Sequence, residues 1–380
     1  MSTKIKVVFG LPSFLTGGTE RQLLKQLHVY DFKKFDVTLI TLFELPNRET
    51  MYALLPREVT VYKLHFSFPL DVRSWMRLYA TLRKVSPDVV VSSAFFANTA
   101  FRLLKPFFGY GSITREHNTY IEKNRFQKLT DHILSYLSYK IVGISQTVVD
   151  FASAQAHIPK SKFISILNGI ELEEIKNVLK NKHDTRVKIR RELGITDSQK
   201  IVLNVGRLKK QKNQQLLIDG FILFQKKYPE YVLCIVGDGI ERPGLERQVS
   251  SYGAEKIIKL VGHKENVYDF FMAADIFILT SRHEGGPNAV LEALAFELPV
   301  ISTPIAGVNE YIQDRKNGFY ISYEPEDVAR VLSLVANSSK ETIDEIKKHG
   351  CTTVEQFDVR RVAQRYMSLI EECAASKRSN

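Results

Sequence analysis

The sequence predicts an α/β protein made of two doubly wound parallel-sheet domains, and three observations carry that prediction. The chain has 380 residues, enough for two domains of ordinary size. Short apolar runs of strand length alternate with stretches of helical spacing through both halves, the pattern of parallel sheets covered on both faces. The third observation is one stretch of the second half. Asp275 to Leu279 reads as a buried strand, Gly285 and Gly286 as a turn, Asn288 to Phe296 as a helix and Leu298 to Ser302 as another strand. Strand, glycine turn, helix, strand is one half of a Rossmann-like nucleotide-binding unit.

In the first half, residues 4–10 read as a strand and Thr19 opens a helix with Leu23, Leu24 and Leu27 on one face. Thr19 and Gln22 have capping-box spacing. Gly17 and Gly18 then lie in a strand-to-helix turn without side chains, which suits either a ligand on backbone amides or a plain tight turn. Phe35 to Phe43 is the next strand. Val72 to Val85 reads as an amphipathic helix with Val72, Trp75, Met76, Tyr79 and Leu82 on its apolar side and Arg73, Arg77, Arg83 and Lys84 around it. Pro87 to Val91 is a strand and Asn98 to Leu104 a helix. Lys105 to Tyr110 reads as a loop whose Phe107 and Phe108 either fill the core or face a membrane interface. Ser112 to Thr114 leads into Arg115-Glu116-His117-Asn118, polar residues at a strand end where open sheets bind ligands. Lys140 to Ser145 is the last strand of this half.

The polar stretch from Lys176 to Arg191 reads as a domain linker, and Ile201 to Gly206 as the first strand of the second half. Arg207 stands at its end and Lys212 five residues on, two cations able to clamp a diphosphate. Tyr231 to Val236 is a strand ending in Gly237-Asp238-Gly239, which lacks the third glycine of a nicotinamide fingerprint. Ile257 to Val261 ends at Gly262-His263, and Asn266 to Met272 is a helix. Pro287 suits the first position of the next helix. The amides of Gly285, Gly286 and Asn288 would form an anion site at its positive end, with Glu284 just before it. Glu292 lies five residues past Pro287, about 7–8 Å up the helix at ~1.5 Å per residue, a distance suited to ribose hydroxyls. Further helices are expected from Gly307, from Glu326 to Val335 and from Val359 to Cys373, with a turn at Asn317-Gly318.

Composition narrows the setting. Hydrophobic residues make up 44% and charged residues 25%, as in globular proteins that fold in water. No apolar run reaches the length of a membrane span, and the first residues lack the apolar core of a signal peptide. Cys234, Cys351 and Cys373 have no metal-binding spacing and are expected reduced, which points to the cytoplasm. The net charge of +11 is uneven: residues 1–180 hold 24 basic and 15 acidic residues, a net +9. The excess points either to an anionic partner for that half, a membrane surface or a phosphorylated acceptor, or to a plain solvated basic surface; nucleic acid is not expected, because no nucleic-acid signature is present.

The run from Glu284-Gly285-Gly286-Pro287 to Glu292 resembles the motif of retaining glycosyltransferases of family 4 (glycosyl transferases group 1), which have the GT-B fold. Gly206-Arg207-Leu208 with Lys212-Asn213 is similar to the family's phosphate-binding pair, and Gly17-Gly18 to its glycine loop. His117 is similar to its active-site histidine. Ile164 to Glu171 resembles its hinge, with Leu167 and Glu171 where the family usually has Pro and Asp.

The resemblance implies two Rossmann-like domains facing across a cleft. Residues 1–175 would bind the acceptor, with a terminal helix 358–375 packing back on them, and residues 176–357 would bind the nucleotide sugar. It implies metal-independent transfer, without a cofactor, of a hexosyl or N-acetylhexosaminyl group from a UDP-sugar to a hydroxyl of a glycan or lipid-linked acceptor. The setting would be cell-surface polysaccharide or glycoconjugate synthesis on the inner face of the cytoplasmic membrane. His117, Glu284, Arg207 and Lys212 would carry the reaction. Gly17, Gly18, Gly206, Gly262, His263, Gly285, Gly286, Pro287, Asn288 and Glu292 would line the donor site. The alternatives are another GT-B enzyme, such as a nucleotide-sugar 2-epimerase, and a non-catalytic sugar-nucleotide-binding subunit.

Overall fold

The computed structural model describes residues 4–45, 48–117 and 123–378, so Asn118 of the predicted polar stretch lies outside the described residues. The chain forms two compact units, one of Met1–Gly169 with Val359–Asn380, the other of Ile170–Asp358. The division thus falls at 169/170, earlier in the chain than 175/176.

The first unit has seven parallel strands: β1 (Ile5–Leu11), β2 (Phe35–Thr41), β3 (Thr60–Lys63), β4 (Val89–Ser93), β5 (Gly111–Glu116), β6 (Lys140–Gly143) and β7 (Phe163–Ser165). They are connected by α1 (Gly18–Leu27), α2 (Val72–Val85), α3 (Phe95–Phe108), α4 (Arg125–Ser135) and α5 (Gln146–Ala156), and the strand order is β3-β2-β1-β4-β5-β6-β7. The second unit opens with α6 (Leu172–Leu179) and α7 (Lys182–Leu193). It continues with β8 (Lys200–Val205), α8 (Gln214–Gln225), β9 (Tyr231–Val236), α9 (Arg242–Ser251), β10 (Ile258–Gly262), α10 (Tyr268–Ala273) and β11 (Ile276–Leu279). It closes with α11 (Asn288–Ala295), β12 (Val300–Ser302), β13 (Phe319–Tyr320), α12 (Pro325–Asn337) and α13 (Lys340–Val354). Its order is β10-β9-β8-β11-β12-β13. The last helix, α14 (Val359–Arg378), belongs to the first unit.

Both faces of the first sheet are covered, which is why its strands are nearly continuous apolar runs. Alternation along β1 and β4 sends Val7, Phe9, Val89 and Val91 into one core, shared with Leu23 and Leu27 of α1 and Tyr366, Leu369 and Ile370 of α14. Val8 and Val90 point to the opposite core, with Leu78 and Leu82 of α2 and Phe101 of α3. The second sheet buries Val202, Leu233, Ile278 and Ile301 against Leu217 and Phe221 of α8 and Val328 and Leu332 of α12.

Several local expectations are corrected. Thr19 does not cap α1; Gly17 does, without a side-chain hydrogen bond. Gln22 instead turns inward, its amide donating to the Gly169 carbonyl and its oxygen accepting from the Gly169 N–H, both at 3.0 Å. The tertiary bond wins because a buried side-chain amide must be satisfied. In α2 the buried side is Ser74, Leu78 and Leu82, while Val72, Met76 and Tyr79 are exposed. Ser74 tolerates burial because its hydroxyl donates to the capping Asp71 at 2.7 Å. Lys105 to Phe108 continue α3 rather than forming a loop. Phe107 is exposed, whereas Phe108 packs against Tyr79 and Tyr110. The expected linker from Lys176 to Arg191 is helical (α6 and α7), held by Arg186 to Asp275 at 2.8 Å. Pro287 is the residue before α11, not its first, and Val308–Glu310 is a single 3-10 turn.

Candidate active site

In a doubly wound sheet the chain leaves the central strand in one direction and returns to its other side, opening a crevice where the two connections part. In the second unit that point lies between β8 and β11, which are neighbours in the sheet. Arg207 and Lys212 follow β8, and Glu284 to Asn288 follow β11. The two connections are sewn together. The Arg282 N–H donates to the Gln211 carbonyl at 2.8 Å, and the Thr280 hydroxyl donates to the Lys212 and Asn213 carbonyls at 3.1 Å.

The centre of the arrangement is Glu284, buried at 9% exposure. Its Oε1 lies 2.5 Å from Lys212 Nζ and accepts from the Ser281 hydroxyl at 2.8 Å; its Oε2 accepts from Gln211 Nε2 at 3.3 Å. Gln211 also donates to the His283 carbonyl at 2.7 Å, which fixes its amide. A carboxylate so placed is paired and hydrogen-bonded, as burial of a charge demands. Lys212 is therefore shared: the same ammonium assigned to the diphosphate holds the acid assigned to the sugar.

Backbone packing brings the other predicted residues to the same sheet end. Gly237 N–H donates to the Gly262 carbonyl at 2.9 Å, and Gly206 N–H to the Val236 carbonyl at 3.0 Å. A Cβ on Gly237 would stand 2.0 Å from the Gly206 carbonyl oxygen, so the loops after β8, β9 and β10 converge only because that residue is glycine. His263 follows, exposed. Behind Gly285 and Gly286 sits Gly307, at φ +80, whose Cβ would lie 2.8 Å from Gly286 Cα. Glu292 is half-buried on α11. Beside the clamp is a cavity of about 510 Å³ lined by Lys209, Lys210, Gln211, Gln214, Arg282 and His283.

The first unit has its own switch point, between β1 and β4. A pocket of about 240 Å³ there is lined by Leu11, Ser93, Ala94, Glu116, His117 and Lys123, among others. Gly17 and Gly18 start α1 at the same end of the sheet. Ala94 has φ 70 and ψ 152, a conformation an L-residue adopts at a cost, and such outliers gather at ligand sites. The Nε2 atom of His117 is shut off from solvent without a partner among the described residues. Burial, with the Arg115 cation beside it, pushes this imidazole down to about 3, so it is neutral at pH 7. Next to it, Lys123 contacts Glu116 at 2.9 Å and Asp131 at 2.6 Å. Burial alone would lower this ammonium, but the two carboxylates hold it above the usual lysine range. Asp131 also pairs with the buried Arg102. Cys234 and Cys373 are pushed up to about 12 by burial and are inert thiols. Among the described residues no group of three His, Cys, Asp or Glu side chains is placed to hold a metal ion.

Comparison with known proteins decides the family. The family described as Glycosyltransferase Family 4 matches residues 16–174, and that described as Glycosyl transferases group 1 matches residues 185–350. The chain belongs to glycosyltransferase family 4. This glycosyltransferase is 23% identical over 367 residues, 92% of each chain, to the Escherichia coli UDP-Gal:alpha-D-GlcNAc-diphosphoundecaprenol alpha-1,3-galactosyltransferase. It is 28% identical over 172 residues, 45% of this chain and 49% of the relative, to the lipopolysaccharide core biosynthesis glycosyltransferase LpsE of Rhizobium meliloti. Among solved structures, Anabaena HepE in complex with UDP superposes with a TM-score of 0.81 at 19% identity, covering 97% of this chain and 100% of that one. The fold is accordingly the GT-B class.

The glycosyltransferase thus gathers Gly206, Arg207, Lys212, Glu284 to Asn288 and Glu292 in one unit, and His117 with Gly17 and Gly18 in the other. Sequence reasoning missed Ser281 and Gln211, the two groups that share Glu284 with Lys212. Their signal was present but weak: a serine just past a buried strand, and an amide between two lysines. It also missed Lys123 as a pocket residue.

Proposed function

We propose that the glycosyltransferase moves a sugar from a UDP-sugar to a hydroxyl of a lipid-linked or glycan acceptor with retention of anomeric configuration. The step serves glycoconjugate synthesis on the inner face of the cytoplasmic membrane. The observation that carries this reading is the Lys212–Glu284 pair at the switch point of the second unit. Arg207 and Lys212 neutralise the diphosphate as it leaves, and the start of α11 adds its dipole, so the charge that builds up in the transition state meets preorganised partners without a metal. When the diphosphate draws Lys212 toward it, Ser281 and Gln211 still hold Glu284, which keeps the carboxylate aimed at donor hydroxyls. Glu292 takes the ribose. The acceptor hydroxyl attacks from the face that the leaving phosphate occupies, and that phosphate takes the proton. The neutral His117 hydrogen-bonds the transferred sugar rather than acting as an acid.

The UDP preference is supported by the UDP-sugar in the name of the Escherichia coli relative and the UDP in the HepE complex. The acceptor class is supported by the diphosphoundecaprenol in that same name. A non-catalytic binding subunit would be expected to have lost a member of the clamp, and Arg207, Lys212, Glu284 and Glu292 are all present. A 2-epimerase would not need an acceptor. Release of UDP that depends on added acceptor, undiminished by EDTA, with NMR showing the donor's anomeric configuration in the product, is the expected result. Acceptor-independent conversion of the UDP-sugar to its epimer would instead establish the epimerase.

A further inference from the structure

Helix α4 turns most of its apolar residues outward. Its buried residues are Asp131, Leu134 and Ser135, two of the three polar, whereas Phe126, Leu129, Ile133 and the following Tyr136 face solvent, each between 56% and 74% exposed. The spacing of those four residues places them on one side of the helix. Isolated exposed apolar residues are ordinary; an aligned set of four is not. The inward polar side is accounted for by the ion pairs of Asp131 with Arg102 and Lys123, which leaves the outward stripe without a structural purpose.

The stripe continues onto the neighbouring helices. α3 packs beside both α4 and α2. Lys105 of α3 donates to the Leu137 carbonyl just past α4 at 2.6 Å, and Tyr79 of α2 meets the Phe107 ring of α3 at 6.4 Å. Val72, Met76 and Tyr79 of α2 and Leu103 and Phe107 of α3 are all exposed. The rim is cationic. Arg73, Arg77, Arg83, Lys84 and Arg125 are exposed and Lys128 is half-buried, and the one acidic residue in the three helices is the buried Asp131.

We propose that the outer faces of α2, α3 and α4 form a docking surface for an anionic lipid bilayer, with α4 seating its apolar stripe at the headgroup–acyl boundary. The proposal rests on the reading that the acceptor is membrane-borne. The occupant follows from charge and shape. Aromatic and aliphatic side chains ringed by arginine and lysine match an anionic interface. A second copy of this chain would set the same cations against one another across a two-fold axis. No helix among the described residues is long and apolar enough to cross a membrane, so the contact is peripheral.

The test is co-sedimentation of the full chain with phosphatidylcholine vesicles and with vesicles of equal parts phosphatidylcholine and phosphatidylglycerol. Wild type is expected to bind the anionic vesicles and to come off at high salt. The double variant Leu129→Glu/Ile133→Glu and the double variant Arg73→Glu/Arg77→Glu should each lose binding roughly tenfold or more. Ile240→Glu, an exposed apolar site in the second unit, should bind as wild type does. A thermal shift with UDP that matches wild type shows that each variant is folded. The proposal is overturned if Leu129→Glu/Ile133→Glu binds anionic vesicles like wild type, if wild type binds neither vesicle, or if that variant's only effect is to turn a dimer into a monomer. Loss of vesicle binding with UDP-dependent transfer to a water-soluble acceptor intact separates failure of this surface from failure of the transferase reading.

Discussion

The two units share a plan and differ in where they place charge. Each is a parallel sheet whose connections part between two neighbouring strands, β1 and β4 in the first, β8 and β11 in the second, and each has its candidate site there. In the second unit the site is a set of paired charges, Lys212 on Glu284 with Arg207 close in sequence, suited to a ligand that is itself an anion. In the first, the pocket offers a neutral His117 beside an ion-paired Lys123, suited to hydroxyls rather than phosphates. Its exposed cations, among them Arg73, Arg77, Arg83, Lys84 and Arg125, lie on α2 and α4 instead, which also carry exposed apolar side chains. Topology decides where a site can be; the side chains at the strand ends decide what it binds.

The largest effect that would sharpen this comparison is loss of the clamp. Lys212→Ala or Arg207→Ala should lower kcat by about 100-fold or more, the scale of removing one preorganised charge partner. Vesicle binding should be unchanged in both variants, because the proposed docking surface lies in the first unit. Near-normal turnover in both would break the assignment of diphosphate chemistry to the second unit. Next come the two glutamates. Glu292→Ala should raise donor KM roughly tenfold and weaken UDP binding, since a ribose contact is made in both ground and transition states. Glu284→Ala should act mainly on kcat and leave UDP affinity close to wild type. UDP binding lost only on mutation of Glu284 would exchange their roles.

Smaller effects follow from packing and burial. Gly307→Ala places a side chain at φ +80 against the backbone of Gly286 and should cost about 1–3 kcal/mol in stability, read as a lowered urea midpoint. For His117 the sign is set by a folded pKa of about 3 against an unfolded value near 6.5. Below about pH 6.5 the unfolded chain takes up a proton that the folded one refuses, so the neutral imidazole's contribution is full above that pH and is lost as pH falls. Urea melts of wild type and His117→Gln at pH 7 and pH 5 should show wild type losing about 1–2 kcal/mol relative to the variant. No relative change would place His117 in contact with water.

Most strands and the longer helices were legible because burial on both faces leaves apolar runs and because Val72 to Val85 has a clear helical period. The orientation of that helix was not legible. It has apolar residues on more than one side, and only the packing of Leu78 and Leu82 reveals which side meets the sheet. Helix α4 was missed although Phe126, Leu129, Ile133 and Tyr136 recur at helical spacing; that stripe faces solvent, so the period alone does not tell which side packs. The inward cations of the first unit were not legible either: Arg102 is buried against Asp131, Lys123 is held between two carboxylates and Lys105 is tied to the Leu137 carbonyl. Such partners lie far apart in the chain and leave no local mark. In the second unit the cations and acids stand at strand ends, and position together with the family resemblance singled them out. Their mutual pairing through Ser281 and Gln211 required the fold.

The measurement that tests the central claim most directly is a transfer assay with the full chain, a panel of UDP-, GDP- and ADP-sugars and a polyprenyl-diphosphate-linked monosaccharide in anionic vesicles. The account predicts that a UDP-sugar yields UDP and one new glycosidic bond in equal amounts, and that Lys212→Ala suppresses both together. Transfer from a GDP- or ADP-sugar in preference to every UDP-sugar would contradict the proposed donor. The absence of acceptor-dependent nucleotide release with any donor would contradict the proposed reaction.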